Sequence, residues 1–423
     1  MNETIYDLAG IGIGPFNLGL AALCQPITPF KSIFFDTRPG FDWHPGLMLD
    51  FAKMQVPFYA DMVTGADPTS PYSYFSYLKK TGRLYQFSIL EDNYISRRDY
   101  NDYCIWVAGK LPNLRFGHGV QNITYNASRR LYNIETITVQ GPKLFLAKKL
   151  VVGTGSVPFV PGFSCGDHPR VIHSAQYLFK KAEMLEKDAV TIVGSGQSAA
   201  EIFYDLITCP KKQPMDIAWF TKSARLFPMD TSKFSIEMTS PDYIDYFYNL
   251  PNRQKTITLQ KQDELYKGIN AELLAEIYKV LYYRKSAGRI SIQTNCTLKD
   301  IKKNYNTMLL ALRHTEQDKI FEHETGFTIL ATGYKRLIPS FLHPILNRIK
   351  QDGHGRYEIA RNYSVDHDGK YIFIQNAELH SHGFNAPDLG MGPYRNATII
   401  NAVLGFEYYQ LETNIAFQTF GTG

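Results

Sequence analysis

The chain has 423 residues, which is long for one domain and predicts two or three. Its composition, with 44% hydrophobic and 20% charged residues, is typical of a soluble globular protein. The formal net charge of +5 is small for this length and no run of Lys or Arg stands out, so we expect no nucleic-acid partner. No apolar run reaches the roughly 18 residues that a membrane helix needs, so we expect no stable membrane insertion and a cytoplasmic location.

The cysteines argue against two kinds of site. Five occur in the chain, scattered singly and without a C-x-x-C pair. They are Cys24, Cys104, Cys165, Cys209 and Cys296. This scatter favours a reducing compartment and argues against a disulfide framework and a four-cysteine zinc site. We expect no bound metal.

The N-terminal segment predicts a nucleotide-binding β-α-β unit. Residues Ile5–Ile11 form a short apolar run that ends in a glycine fingerprint and is followed by a helical pattern. The fingerprint is Gly12-x-Gly14, with Asn17 in place of the third glycine. The next apolar run, SIFFD, ends in Asp36, near the spacing expected for an acid that accepts a ribose hydroxyl. The glycines would let the backbone approach a pyrophosphate at the helix N-terminus, and the third glycine would only ease helix–strand packing.

A second fingerprint follows in the middle of the chain. The segment AVTIVGSGQSAAE places Gly194-x-Gly196-x-x-Ala199 between a β-branched strand and an apolar helix. The next strand, DIAWFT, is followed by Lys222 and Arg225 instead of an acid. Basic residues at this position favour the 2′-phosphate of NADP. The first unit therefore predicts a site for a free ribose diol and the second a site for a phosphorylated one.

Two further strands define the domain order. LVVGTGSVP and FTILATGYK each end in a small-residue turn, so we expect the chain to leave the first domain near Pro161 and return near Ala331. The predicted fold class is α/β with two Rossmann-like three-layer domains, the second inserted into the first. The first domain is predicted over 1–165 and 328–423 and the second over 166–327. Helical periodicity over Ala271–Tyr283 predicts a small helical substrate-site element around 230–290.

Seven motifs together resemble the flavin-dependent N-hydroxylating monooxygenases, the lysine, ornithine and diamine hydroxylases of siderophore assembly. They are GIGPFNLGLA, WHPG, KMQVPF, DPTSPYSYFSYL, GSGQSAAE, ATGY and SHGFNAPDLG. GDHPRVIHSAQY also resembles, in part, a linker fingerprint of related flavin monooxygenases. The resemblance implies that NADPH reduces FAD, that reduced flavin captures O2 as a C4a-hydroperoxide, and that one oxygen passes to the lone pair of a primary amine. It also implies a homo-oligomer, a dimer or a tetramer.

The same resemblance implies roles for individual residues. Gln55 is expected beside the flavin and the nicotinamide as the catalytic residue. His44 and His382 are candidate acid–base residues, but hydroxyl transfer from a hydroperoxide to a neutral amine needs little proton transfer from the protein. Expected FAD contacts are Gly12, Gly14, Pro15, Phe16, Asn17, Asp36, Trp43, His44, Gln55, Thr332, Gly333, Asp388 and Leu389. Expected NADPH contacts are Gly194, Gly196, Gln197, Ser198, Lys222 and Arg225.

The substrate is predicted from departures from the family pattern. In the amino-acid hydroxylases a lysine that grips the substrate carboxylate stands at the position of Ala60, and an asparagine stands at that of Ile236. Losing both suggests a substrate without a carboxylate, because an unpaired buried carboxylate is costly. Putrescine or cadaverine is therefore expected, with histamine as the rival and lysine or ornithine as a further alternative. Glu237 and Asp388 are the candidate partners of a distal ammonium.

Two other classes of protein share parts of this pattern. A pyridine-nucleotide disulfide reductase has the same two-domain plan but needs paired thiols beside the flavin, and no two cysteines here are close in sequence. A redox-sensing nucleotide-binding module would not need WHPG and the Gln55 segment beside the flavin turn. Bound flavin and O2 consumption that depends on NADPH would separate these classes.

Overall fold

The computed structural model describes residues 3–210, 214–283 and 288–422. Two sheets of mostly parallel strands carry two Rossmann-like folds, which confirms the predicted α/β class. The strands are β1 (Ile5–Ile11), β2 (Ser32–Phe35), β3 (Leu114–Arg115), β4 (Gly119–Asn126), β5 (Leu131–Thr138), β6 (Gly141–Val152), β7 (Val157–Pro158), β8 (Val171–His173), β9 (Ala189–Gly194), β10 (Asp216–Phe220), β11 (Ile290–Gln293), β12 (Cys296–Asn304), β13 (Thr307–His314), β14 (Lys319–Thr325), β15 (Phe327–Ala331), β16 (Tyr334–Lys335) and β17 (Ile372–Ile374).

The helices lie between and beside these strands. The α-helices are α1 (Pro15–Cys24), α2 (Tyr74–Lys80), α3 (Leu84–Leu90), α4 (Arg97–Ala108), α5 (Tyr177–Met184), α6 (Gln197–Thr208), α7 (Lys233–Ile236), α8 (Pro241–Asn249), α9 (Asn252–Gln260), α10 (Asp263–Tyr266), α11 (Ala271–Tyr283), α12 (Leu379–His382) and α13 (Gly392–Leu404). Short 3-10 helices span Pro45–Leu47, Ser174–Gln176, Ser340–Arg348 and Gly383–Asn385. In the described part of the chain no helix is long and apolar enough to cross a membrane.

The first sheet brings four strand ends to one edge. Its order is β3-β2-β1-β6-β5-β4, with β17 also pairing with β6. In the parallel register Ile11 lies opposite Phe35 and Val152, and Val152 lies opposite Ile374. The loops that follow β1, β2, β6 and β17 therefore emerge side by side. Ligands of open α/β sheets bind at such a carboxyl edge.

Helix α1 is the central packing element of the first fold. Every residue from Asn17 to Cys24 is buried, because the helix lies between the sheet and helices α4 and α13. Close packing begins at β1, where a side chain on Gly10 would fall within 2.1 Å of the Phe34 ring. The apolar run that predicted a strand and a helix start thus forms the core of this fold, and both elements are confirmed.

The second sheet is entirely parallel, in the order β11-β10-β9-β15-β8. Strand β15 pairs with β9 and β8, so Phe327–Ala331 belongs to this sheet. The predicted boundary between residues 327 and 328 is wrong, because it divides β15. An antiparallel layer of β12, β13 and β14 packs beside this sheet, and α6 and α11 pack together on it.

The chain crosses between the two folds through a short antiparallel pair. Strand β7, on the way out, pairs with β16, on the way back. The Phe159 amide donates to the Gly333 carbonyl at 2.9 Å, and the Thr332 hydroxyl donates to the Phe159 carbonyl. A ring nitrogen of His173 lies 2.8 Å from the same Gly333 oxygen. The partial linker motif and the ATGY motif therefore meet in this crossover.

The predicted helical element is present as helices α7 to α11. The periodicity over Ala271–Tyr283 corresponds to α11 at both ends. Residues 284–287 of the predicted 230–290 segment lie outside the described residues. A buried ion pair holds the two folds together: Arg97 of α4 donates to Glu201 of α6, with an Nη2–Oε1 distance of 2.6 Å.

Candidate active site

A cavity of about 1180 Å³ lies at the carboxyl edge of the first sheet and is also lined by residues of the 229–236 segment and of α10. This volume exceeds that of a typical small-ligand pocket and suits a dinucleotide together with a substrate. Thirteen of the residues predicted for FAD or substrate line it. They are Gly12, Gly14, Pro15, Phe16, Asn17, Asp36, Trp43, His44, Gln55, Ala60, Ile236, Asp388 and Leu389.

The glycine turn after β1 has the conformation that its sequence requires. Gly12 has φ +87°, and an added Cβ would lie 2.5 Å from the Gly153 carbonyl oxygen. An added Cβ on Gly14 would meet no protein atom within 4 Å. Gly14 is the N-cap of α1, and Pro15 follows as its first residue. The turn therefore presents open backbone at the positive end of a ten-residue helix, as a pyrophosphate requires.

Asn17 does more than fill the place of a glycine. Its Nδ2 donates to the carbonyls of Gly12 and Ile11 at 2.7 and 3.2 Å, and its Oδ1 accepts from Gln375 at 2.9 Å. Gly153 makes room for it, since a Cβ there would lie 2.6 Å from Asn17 Nδ2. Asn17 therefore connects the ends of β1 and β17 by hydrogen bonds. The space that its side chain needs is provided by Gly153, the residue after β6.

Asp36 faces the cavity with both oxygens already engaged. Oδ2 accepts from the Ile13 amide at 2.8 Å, and Oδ1 accepts from the Arg38 amide and Nε at 2.9 and 3.0 Å. Burial alone would raise the pKa of Asp36, but these hydrogen bonds outweigh burial and lower it. A sugar hydroxyl would therefore meet a carboxylate–guanidinium pair instead of a lone carboxylate.

The WHPG segment packs the first fold against the second. His44 has a left-handed backbone, φ 52°, and the turn lets Gly46 approach so closely that a Cβ would lie 1.8 Å from the Ala175 oxygen. Burial, aided by the charges of Arg97 and Arg38, lowers the pKa of His44 to about 4. His44 is thus uncharged at neutral pH and has no proton to donate as an imidazolium.

His382, the other candidate acid–base histidine, lies in the protein core. Its ring stacks on Tyr363 with centroids 4.5 Å apart, and burial lowers its pKa to about 3. It does not line the cavity. Packing accounts for this residue.

Gln55 spans the boundary between the two folds. Its Nε2 donates to the Gly268 carbonyl at 3.1 Å and lies 3.7 Å from the sulfur of Met229. Gly268 is required there, since a Cβ would lie 2.3 Å from the Met229 backbone. The side chain predicted to lie beside the flavin and nicotinamide therefore lies on the cavity wall at the joint between the folds.

Ala60, Gly390 and Asp388 form one wall of the cavity. A Cβ placed on Gly390 would lie 3.0 Å from Asp388 Oδ1 and 3.3 Å from Ala60 Cβ, so the three residues are neighbours. Asp388 Oδ1 accepts from the Gly390 amide at 2.7 Å. Burial raises the pKa of Asp388, while the Gly390 and Met391 amides and the charge of Arg395 oppose the rise. The wall therefore offers a carboxylate, and the residue at position 60 brings no cation.

Arg395 holds the loop that carries Asp388. It is buried, pairs with buried Glu378, and donates to the Ala386 carbonyl at 3.0 Å. Its guanidinium also lies 4.1 Å from the centroid of the Phe16 ring, within cation–π range. One buried cation thus fixes the Asp388 loop against the glycine turn.

Glu237 does not line the cavity, so the cavity gives no support for its predicted contact with the substrate. Its Oε1 accepts from the Phe417 amide at 2.6 Å and its Oε2 from the Gln418 amide at 3.1 Å. Glu237 follows the last residue of α7, and Lys233, Ser235 and Ile236 of that helix line the cavity.

Thr332 and Gly333, predicted for FAD, also do not line the cavity. They lie in the β7–β16 crossover, where the Gly333 carbonyl accepts a hydrogen bond from the Phe159 amide. The backbone of Gly333 has a φ of +81°. Their predicted contact with FAD has no support from this cavity and stays a prediction. The ATGY turn instead connects the folds, and Tyr334 of the same motif reaches the cavity.

The second glycine turn stands apart from the cavity, at the N-terminus of α6. Gly194 allows close strand packing, since a Cβ would lie 2.4 Å from the Ala331 oxygen. The Gln197 side chain is engaged at both ends: it donates to Glu201 at 2.9 Å and accepts from the Asn270 amide at 2.8 Å. Ser198 follows in the first turn of the helix. The backbone of this turn therefore remains the candidate phosphate site.

The two basic residues after β10 differ. Lys222 is exposed and has no ion pair within 4.0 Å among the described residues. Arg225 is exposed as well but pairs with Glu264 at 2.6 Å. Lys222 is therefore the more available partner for a 2′-phosphate.

Sequence reasoning missed several residues of the cavity wall. The GTGS turn after β6 follows Val152, opposite the end of β1, and its residues line the cavity. Its signal was visible, because a small-residue turn after a predicted parallel strand marks the ligand edge. Arg38 and Arg97 also line the cavity, but their placement depends on packing between distant segments.

None of the five cysteines, all within the described residues, lines the cavity. A reductase with a thiol pair beside the flavin therefore has no support here. Among the described residues no group of three or more His, Cys, Asp or Glu side chains is placed to hold a metal ion.

The residues present fit FAD. The turn offers open backbone at Gly14, the N-cap of α1, where a pyrophosphate would approach the helix N-terminus.

Comparison with known proteins agrees with this geometry. The family model described as L-lysine 6-monooxygenase/L-ornithine 5-monooxygenase matches residues 4–336. The chain is 46% identical over 424 residues to a putrescine N-hydroxylase of Shewanella oneidensis, covering 99% of this chain and 85% of that protein. It is 43% identical over 428 residues to an alcaligin biosynthesis enzyme of Bordetella pertussis, covering 99% and 92%.

A solved structure is similar over the whole chain. It is FAD-bound DfoA, the cadaverine monooxygenase of desferrioxamine biosynthesis in Erwinia amylovora, with a TM-score of 0.97 and 43% identity. The match covers 100% of this chain and 99% of that one. The chain therefore belongs to the L-lysine 6-monooxygenase/L-ornithine 5-monooxygenase family and is a flavin-dependent N-hydroxylating monooxygenase that uses FAD and NADPH.

Proposed function

We propose that this enzyme N-hydroxylates a primary diamine, putrescine or cadaverine, for the assembly of a hydroxamate siderophore. The similar proteins named for putrescine, alcaligin and cadaverine support this choice. The observation that carries it is the wall formed by Ala60, Gly390 and Asp388, in which Asp388 offers a carboxylate and Ala60 brings no cation. An ammonium group is the complement of that wall.

The two ends of a diamine have different requirements. The reacting amine must be neutral, although its pKa in water is about 10.4. Removal from water between cavity residues such as Tyr266 and Phe384 lowers that pKa, by up to about 3–5 units for a fully buried amine. The distal ammonium must stay charged to be held, and Asp388 provides its partner.

Bound FAD, reduced by NADPH, supplies the oxygen-transfer chemistry, and the protein supplies position and exclusion of water. The Gly12–Gly14 turn would hold the pyrophosphate, and the Asp36–Arg38 pair the adenosine sugar. Gln55, fixed by the Gly268 carbonyl, would orient the reacting groups at the joint between the folds. His44 stays neutral and therefore adds no competing positive charge beside the amine.

Two observations favour other amines. Lys233 is an exposed cation on the cavity wall and could hold the carboxylate of lysine or ornithine. Lys53 is less available, because it pairs with Asp92 at 2.8 Å. Tyr266 and Phe384 stack with centroids 6.2 Å apart and line the cavity, which would suit the imidazole of histamine.

A substrate panel tests the proposal. Purified enzyme would be given putrescine, cadaverine, histamine, ornithine and lysine, and scored by hydroxylamine formed per NADPH oxidised. We expect the highest kcat/KM and the tightest coupling with a diamine. Tight coupling with lysine or ornithine would overturn the argument from Ala60 and Asp388, and tight coupling with histamine would favour the aromatic end of the cavity.

We further propose that one fold binds FAD and the other binds NADPH. The FAD-binding part comprises 1–165 and the return segment after Ala331, and the NADPH-binding part comprises the intervening residues. The pairing of β15 in the second sheet supports this boundary. A cytoplasmic dimer or tetramer is the expected assembly, and light scattering on the purified protein measures it.

A further inference from the structure

We propose that Glu237 is a positioning residue of the amine site, which acts through helix α7 by clasping residues 415–420, called here the C-terminal strap. The inference rests on the proposed function, because the wall it positions is the wall of the amine site. Glu237 itself does not line the cavity. Its effect would pass through Ser235 and Ile236.

The clasp is reciprocal. Glu237 accepts from two consecutive main-chain amides of the strap, those of Phe417 and Gln418, at 2.6 and 3.1 Å. In return, the Gln418 side chain donates to the Phe234 carbonyl of α7 at 2.8 Å. A carboxylate that receives two amides makes charge-assisted hydrogen bonds, and the Phe417 amide is the largest cause of the lowered pKa of Glu237.

The strap is fixed on both sides of this clasp. On one side, the Ile415 amide donates to Asp242 of α8 at 3.1 Å. On the other, Phe420 packs edge-on against Tyr243 with centroids 5.1 Å apart. Before the strap, the Tyr409 hydroxyl donates to the Leu23 carbonyl at the end of α1. The segment therefore connects the first fold to the substrate-side helices.

Helix α7 needs such support. It has only four residues and none of them is buried. Its N-cap Ser232 caps no backbone amide and donates instead to the Ser235 hydroxyl at 3.0 Å, while Ser235 donates to Asp230. Isolated helices this short are unstable in water, so tertiary contacts must hold them. The strap bonds to the C-terminal end of α7, beside Ser235 and Ile236, two of the three α7 residues that line the cavity.

The test compares Glu237→Gln and Glu237→Ala with a control, Glu276→Gln, which alters an exposed carboxylate of α11 that pairs with Lys279. We expect a rise in the KM for the diamine of about threefold to tenfold in the Glu237 variants, with less hydroxylamine per NADPH. FAD content and the KM for NADPH should stay at wild-type values. Hydrogen exchange should quicken at the Phe417 and Gln418 amides and within 233–237.

A wild-type KM for the diamine in Glu237→Gln, whatever the exchange rates, would overturn the proposal by showing that the clasp is structural only. Unchanged exchange at the two amides would overturn the clasp itself. If Glu237→Ala misfolds, Gln418→Ala removes the return bond to Phe234 and should give a smaller change in the same direction. Failure of the proposed function is distinct, since it appears as absence of diamine-derived hydroxylamine from the wild-type enzyme.

Discussion

Substitution of the two glycines of the first turn should separate cofactor binding from folding. Gly14 has φ −91° and ψ 179°, a conformation open to alanine, and an added Cβ would meet no protein atom within 4 Å. Alanine there lowers the entropy of the unfolded chain, which stabilises by about 0.4–1 kcal/mol. It is also a poorer N-cap than glycine by several tenths of a kcal/mol, so the net change in the free energy of unfolding should be within about 1 kcal/mol.

Gly12→Ala should behave differently. Its φ of +87° costs an alanine about 1–2 kcal/mol, and its Cβ would lie 2.5 Å from the Gly153 carbonyl oxygen. Relief of such a clash in packed structure costs roughly 1–3 kcal/mol more. Gly12→Ala should therefore lose about 2–5 kcal/mol of stability even without cofactor.

The assays are denaturant unfolding of cofactor-free protein and flavin bound per polypeptide after reconstitution. Gly14→Ala should unfold like wild type yet bind FAD at least tenfold more weakly, a loss of about 1.4 kcal/mol, because its methyl group projects where the pyrophosphate would approach. A wild-type dissociation constant for FAD in Gly14→Ala, measured by titrating the flavin bound per polypeptide, would refute the placement of the cofactor. Wild-type stability of cofactor-free Gly12→Ala would refute the steric reasoning.

Lys222→Ala should raise the KM for NADPH about tenfold or more while that for NADH is little changed, since a charge-assisted hydrogen bond contributes about 1.5–3 kcal/mol. Arg225→Ala should have a smaller effect, because Arg225 already pairs with Glu264; equal effects would contradict this ranking. Because burial raises the pKa of Asp388, its carboxylate is lost as the pH falls, and the KM for a diamine should rise on the acid side. This acid limb should be absent in Asp388→Asn, and its persistence there would exclude Asp388 as the titrating group. Ala60→Lys should place a cation beside Asp388 and weaken diamine binding at least tenfold, measured as KM against unchanged FAD content.

Local patterns were enough to predict most of the fold. Strands β1, β9 and β15 are short apolar runs bounded by glycine, and α11 has a clear helical period, so each follows from neighbouring residues. Asn17 was predicted to leave the first turn intact, and its buried amide indeed ties the ends of β1 and β17. These features depend on a few adjacent residues and on general rules of sheet packing.

The order of residues in the sequence could not show which side chains of a helix or loop face the cavity. Glu237 and Ile236 are adjacent, yet Ile236 faces the cavity and Glu237 faces the C-terminal strap, because the strap comes from a segment about 180 residues away. Arg97 reaches Glu201 across the two folds in the same way. The sequence alone determined the two nucleotide turns and their cofactor classes, because the chemistry of a glycine turn is local. Only the tertiary structure decided which of the two candidate carboxylates, Asp388 or Glu237, lines the cavity, because that depends on contacts between segments far apart in the chain.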